Sequence, residues 1–89
     1  MIIKELVWDE FNQDHIQKHG VTKLEIVETS KAIKLTLGGK NGRVMVVGET
    51  KIGRLVTLVL AKVETTKYYL ITARDSSREE RRKLNENKK

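Results

Sequence analysis

The chain contains no cysteine and no proline. Without cysteine it has no disulfide framework, no thiolate nucleophile and no cysteine-based zinc site. Without proline, every strand keeps its full set of N–H donors for pairing. Aromatic residues are sparse, with one Trp, one Phe and two Tyr, and His15 and His19 are the only histidines. No apolar run reaches membrane-spanning length, and the N-terminal residues lack the layout of a signal peptide. The expectation is a soluble, cytoplasmic protein that makes no use of a membrane.

What the chain has in quantity is charge. Charged residues make up 34% of its 89 residues and hydrophobic ones 38%, with a net charge of +6. That length supports one domain over residues 1–89, with a single core of one sheet and a few helices. Seven basic and four acidic residues lie between Arg74 and Lys89, so this short segment carries half of the net charge. Such a balance favours nucleic acid, an anionic surface or an acidic partner, without choosing among them.

The hydrophobic periods give the order of elements. Ile2 to Trp8 has the composition of a strand. Asp9 and Glu10 then place negative charge at a helix start, and the helix runs to about His19, where Gly20 supplies a left-handed cap. Thr22-Lys23-Leu24-Glu25 is a capping box, with Val21 and Ile26 placed as a hydrophobic staple, and this second helix fades near Lys31. From Ile33 the period becomes two, with Ile33, Leu35 and Leu37 on one face. Gly38 to Gly42 reads as a hairpin loop, Arg43 to Thr50 as a strand, and Lys51-Ile52-Gly53 as a tight turn. Arg54 to Val63 is the most apolar strand and belongs in the sheet centre. Glu64 to Lys67 turns the chain into a strand from Tyr68. The predicted fold is α+β: a small antiparallel sheet made of the N-terminal strand and a four-strand meander. Two N-terminal helices cover one face, and a basic helix spans about residues 75–89.

The chemistry concentrates where the last strand meets the charged run. Ser77-Arg78-Glu79-Glu80 fits a capping box, and Ser76 with Glu79 fits one residue earlier. Arg74, Arg78, Arg81 and Arg82 stand at i, i+4, i+7 and i+8, so a helix reaching back to Arg74 would line one face with four guanidiniums and make a phosphate site. The competing reading is a solvated tail, because Leu84 is the only sizeable apolar residue after Asp75. Arg43, Met45, Val47 and Glu49 share a strand face, which places Arg43 and Glu49 near Arg74 if that face turns away from the helices; Arg54 flanks the same hairpin. His15 and His19, one helical turn apart, are candidates for general base and acid, or for a capping and packing role. No third ligand accompanies them, so no metal site and no cofactor are expected.

Several segments together resemble the BrnT-type toxins of bacterial type II toxin–antitoxin pairs. They are Val7-Trp8-Asp9-Glu10, His15 through Thr22, Arg43 followed by Val46 to Thr50, and Ile71-Thr72-Ala73-Arg74-Asp75 through Arg82. The resemblance runs from Trp8 to about Leu84. It implies a RelE-like ribonuclease fold, an RNA substrate and neutralisation by a cognate antitoxin, with operator DNA bound only through the antitoxin complex. On that footing the expected chemistry is metal-independent attack of a ribose 2′-OH on the adjacent phosphate. Arg74, helped by Arg43 and Arg78, would stabilise the phosphate; Arg78, Arg81, Arg82 and Arg54 would bind RNA and its phosphates; Glu49, His15 or His19 would move protons. The alternative is a module that binds nucleic acid or an antitoxin and cuts nothing.

Overall fold

The structure is a computed structural model that describes residues 1–39 and 41–87. Lys40 in the predicted hairpin loop, and Lys88 and Lys89 at the end of the predicted C-terminal helix, lie outside the described residues. The elements are β1 (Glu5–Val7), α1 (Glu10–Lys18), α2 (Lys23–Lys31), β2 (Ile33–Gly38), β3 (Arg43–Glu49), β4 (Leu55–Glu64), β5 (Lys67–Asp75) and α3 (Arg78–Asn87).

Both N-terminal helices start where their capping residues dictate. The Asp9 carboxylate accepts from the Asn12 N–H at 2.8 Å, and the Asn12 side chain accepts from the Asp9 N–H at 3.0 Å. This closes a reciprocal box that satisfies two donors at the helix start. Asn12 is buried and also donates to the Val7 carbonyl at 2.8 Å, tying α1 to the end of β1. Gly20 follows α1 with φ +68, as a left-handed cap requires. Thr22 and Glu25 form the second box, and Val21 and Ile26 are both buried in one cluster. Leu24 of the same helix lies exposed.

The five strands run in the order β1-β5-β4-β3-β2, with the apolar β4 in the centre. The four later strands pair antiparallel as a meander. The expectation of an antiparallel sheet fails at one edge: β1 pairs parallel with β5, Glu5 opposite Lys67, and the sheet is mixed. α1 and α2 carry the chain to the far edge, where β2 runs opposite to β1, and three hairpin reversals then return β5 beside β1 in the same direction. β1 is also shorter than predicted, because Ile2 to Lys4 stay outside the ladder.

Each face of the sheet buries a different cluster. Val46, Val56, Leu58, Leu60, Leu70 and Ala73 pack against Ile16, Val21 and Ile26 of the N-terminal helices and their junction. Gly48 permits this approach, since a Cβ there would lie 2.5 Å from the Thr29 carbonyl oxygen. On the other face, Leu35 and Val47 receive Leu84 of α3. The C-terminal segment is therefore a docked helix rather than a solvated tail. One leucine, worth about 2 kcal/mol of burial, is a slender attachment for a helix otherwise made of charges.

Candidate functional site

A second attachment sits one turn earlier in α3, and it is polar. Glu80 lies on the Leu84 side of the helix and is 7% exposed. Its carboxylate accepts from Arg74 Nη1 at 2.8 Å and from Nη2 at 2.9 Å, an end-on bidentate pair. The same carboxylate accepts from Thr57 Oγ1 at 2.8 Å and from the Ser77 N–H at 2.8 Å. Ser77 Oγ accepts from the Glu80 N–H at 3.1 Å, so the capping box forms in the Ser77–Glu80 register. Ser76, buried, makes a 2.8 Å bond to Thr57. Since Thr57 spends its only hydroxyl proton on Glu80, Ser76 is the donor in that pair.

Strand register explains why these groups meet. Thr57 of β4 stands directly opposite Arg74 of β5, on the face away from α1 and α2. The chain leaves β5 at Asp75 and turns at Ser76 and Ser77, and α3 begins at Arg78. The helix thus turns back over the sheet, running from Thr57 on β4 toward Leu35 and Val47 on β2 and β3. The Arg74 guanidinium, followed by the Ser77 N–H and the Thr57 hydroxyl, pulls the Glu80 pKa down to about 2 against the opposing effect of burial. The same pairing raises the pKa of Arg74.

The helix does not extend back to Arg74, so the four arginines do not share one helical face. Arg74 points off the sheet, while Arg78 and Arg82 project from the side of α3 opposite Glu80 and Leu84. Arg81 is also exposed and, after Arg54, helps hold the Asp75 pKa low. Arg82 meets Glu79 only at 3.9 Å, both side chains 68% exposed, a contact of little energetic weight. The solvent side of α3 therefore keeps Arg78, Arg81, Arg82 and Lys83 against Glu79 and Glu86, the charge of Glu80 being cancelled internally by Arg74.

The remaining predicted site residues fall in other places. Arg43 shares the face of Arg74, but register puts their Cα atoms about 17 Å apart. Glu49, at the end of β3, lines a groove of about 460 Å³ with Leu24, Val27 and Lys31 of α2. His15 lies on α1 and His19 at its C-cap, their rings 5.3 Å apart, and α1 packs through Ile16 on the opposite face of the sheet from Arg74. The sheet thus separates the imidazoles from the Arg74 cluster. Among the described residues no group of three metal-ligating side chains forms.

Arg54 is engaged in holding the fold together. Its Nε donates to Asp75 at 2.7 Å, and its Nη1 donates to Glu25 at 2.8 Å and to the Gly20 carbonyl at 3.1 Å. One side chain thereby ties β4, the end of β5, α2 and the α1–α2 junction, with its own pKa raised by the two carboxylates. Sequence reasoning missed these partners, and also Thr57. The available signal was the Ser77–Glu80 capping box, whose glutamate falls one turn before the lone Leu84.

A scan against family models and a search of curated proteins give no match. Among solved structures, the crystal structure of the ribonuclease toxin BrnT from Brucella abortus superposes with a TM-score of 0.67. The match covers 83% of this chain and 97% of that one, at 24% sequence identity. The fold is BrnT-like. At that identity the likeness to BrnT is one of architecture, and it embraces the helices and mixed sheet described above.

Proposed function

We propose that this protein is an endoribonuclease toxin whose RNA-binding surface is the α3-bearing face of the sheet. The observation that carries this reading is a BrnT-like fold in which Arg74, next to the end of β5, lies beside a helix presenting Arg78 and Arg82 to solvent. Arg43 extends the cationic track along the same face. Single-stranded RNA laid along it would be held by phosphate contacts, with Arg74 at the scissile phosphate.

The reaction in this reading is attack of a ribose 2′-OH on the adjacent phosphorus, giving a 2′,3′-cyclic phosphate and a 5′-OH end. Arg74 stabilises charge on the phosphorane oxygens. In-line orientation of the 2′-OH supplies a further share of the rate. The histidines, across the sheet, stay outside the reaction. As in the toxin–antitoxin pairs that the sequence resembles, a cognate antitoxin would restrain the activity in the cytoplasm, and DNA would be bound through that complex. Among the described residues no helix is long and apolar enough to cross a membrane.

One observation favours a second reading, a module that binds RNA or an antitoxin without cleavage. Among the described residues no free base stands beside Arg74: Glu80 is held at about 2, and Glu49 and the histidines are elsewhere. Controlled expression of the wild type beside Arg74→Ala and Arg74→Lys in a bacterial host, with mapping of new 5′-OH ends, separates the two. Growth arrest with new ends in the wild type, lost in a folded Arg74 variant, supports the nuclease. Salt-dependent RNA binding without new ends supports the binding module.

A further inference from the structure

A guanidinium offers two bidentate edges, and the structure accounts for the donors of only one. Glu80 occupies the Nη1–Nη2 edge of Arg74, and the second Nη1 hydrogen goes to the Asp75 carbonyl at 3.2 Å. Nε–H and the second hydrogen of Nη2 have no acceptor among the described residues, and they make up the side-on edge. The Arg74 side chain is 34% exposed while that of Glu80 is 9% exposed. The clamped edge therefore faces into the protein, and a free edge remains within reach of solvent.

We propose that Glu80 is a positioning residue: it grips one edge of Arg74 so that the Nε–Nη2 edge is presented to a phosphodiester oxygen of RNA. The inference rests on the reading of this face as the RNA site. Glu80 is itself fixed from three directions, by Thr57 on β4, by the Ser77 N–H and by its place on α3. Ser76 in turn fixes Thr57. An arginine on a strand ordinarily samples many rotamers, at a cost of about 2 kcal/mol when it is ordered. Here that cost is met in folding, so a bound phosphate meets a guanidinium already in place. Displacement of Glu80 by the phosphate is the costlier route, since it would strand a buried carboxylate together with two of its donors.

The test combines kinetics with a direct view of the guanidinium. Nitrogen–proton NMR of the arginine Nε–H groups is followed as a 2′-O-methyl RNA hexamer, which cannot be cleaved by 2′-OH attack, is added. The Arg74 Nε–H signal shifts while the Glu80 carboxyl carbon stays in place. In cleavage of an unmodified hexamer, Glu80→Gln lowers kcat at least tenfold with KM changed less than threefold. Thr57→Val, which loosens the same carboxylate without altering charge, lowers kcat about threefold and keeps the proposal testable if Glu80→Gln does not fold. Wild-type turnover in a folded Glu80→Gln overturns the positioning role while leaving the nuclease reading intact. A hexamer that moves the Glu80 carbon, or leaves the Arg74 Nε–H unmoved, overturns it as well. If the wild type binds the hexamer at this edge but cuts nothing, the edge assignment holds and the nuclease reading fails.

Discussion

Arg74 and Glu80 face each other end-on, with both guanidinium Nη atoms within 2.9 Å of the two carboxylate oxygens. They are six residues apart in sequence, yet one is on the sheet and the other on the helix that covers it. This pair is at once the polar anchor of α3 and the mount of the proposed phosphate contact.

The first prediction concerns acid. Glu80 falls from an ordinary 4.5 to about 2 on folding. A carboxylate with a depressed pKa contributes stability that is complete above about 4.5 and is lost as pH falls through 4.5 toward 2. The shift corresponds to about 3 kcal/mol for a group this well buried. Urea unfolding of the wild type at pH 6 and pH 3 should show about 2 kcal/mol of that loss, and Glu80→Gln should flatten the dependence. Equal pH dependence in both proteins would remove Glu80 as its cause.

Leu84 is the apolar counterpart of this anchor. Leu84→Ala should destabilise the protein by about 2 kcal/mol, the lower end for such truncations because its cluster is small. Hydrogen exchange should then quicken in α3 before it quickens in β4. Uniform acceleration across the sheet would mean that the helix does not separate as a unit.

Arg54 and the arginines of α3 should behave oppositely. Arg54→Ala should cost about 2 kcal/mol, since Glu25 and Asp75 both lose their partner, yet leave the salt dependence of RNA binding unchanged. Arg78→Ala and Arg82→Ala should leave stability within about 0.5 kcal/mol and each reduce the log–log salt slope by about 0.7. A reduced slope in Arg54→Ala would return that residue to the RNA surface.

His15→Ala and His19→Ala should cleave RNA within about twofold of wild type, because the sheet lies between them and Arg74. A tenfold loss in either, with the fold intact, would place the reaction on the α1 side instead.

Gly48→Ala should cost at least about 2 kcal/mol. The added methyl would meet the backbone oxygens of Thr29 and Ala32 at 2.5 and 2.9 Å, and neither can move without shifting the end of α2. A neutral effect in denaturant titration would show that α2 tolerates the displacement.

Much of the architecture was legible because it is local. Thr22 with Glu25, and Ser77 with Glu80, announce helix starts three residues apart in sequence. The alternation at Ile33, Leu35 and Leu37, and the apolar run of β4, set the strands and the sheet centre. The parallel seat of β1 was not legible, since three strand residues carry no signal of direction. Nor was the docking of α3, because one leucine and one buried glutamate make no hydrophobic period. Site residues were hardest of all: an arginine's duty depends on whether a carboxylate far along the chain already holds it. Arg54 is claimed by Glu25 and Asp75, 29 and 21 residues away, and nothing near Arg54 in sequence points to either.

The pairing of β1 with β5 also bears on how the chain folds. The meander grows from neighbouring hairpins, whose loops close cheaply, whereas joining Glu5 to Lys67 closes a loop that spans most of the molecule. The entropy of that closure is about 4 kcal/mol, set against three residue pairs along the strand. β1 should therefore be the last strand to join and the first to leave, with its amide protons exchanging through openings far smaller than global unfolding.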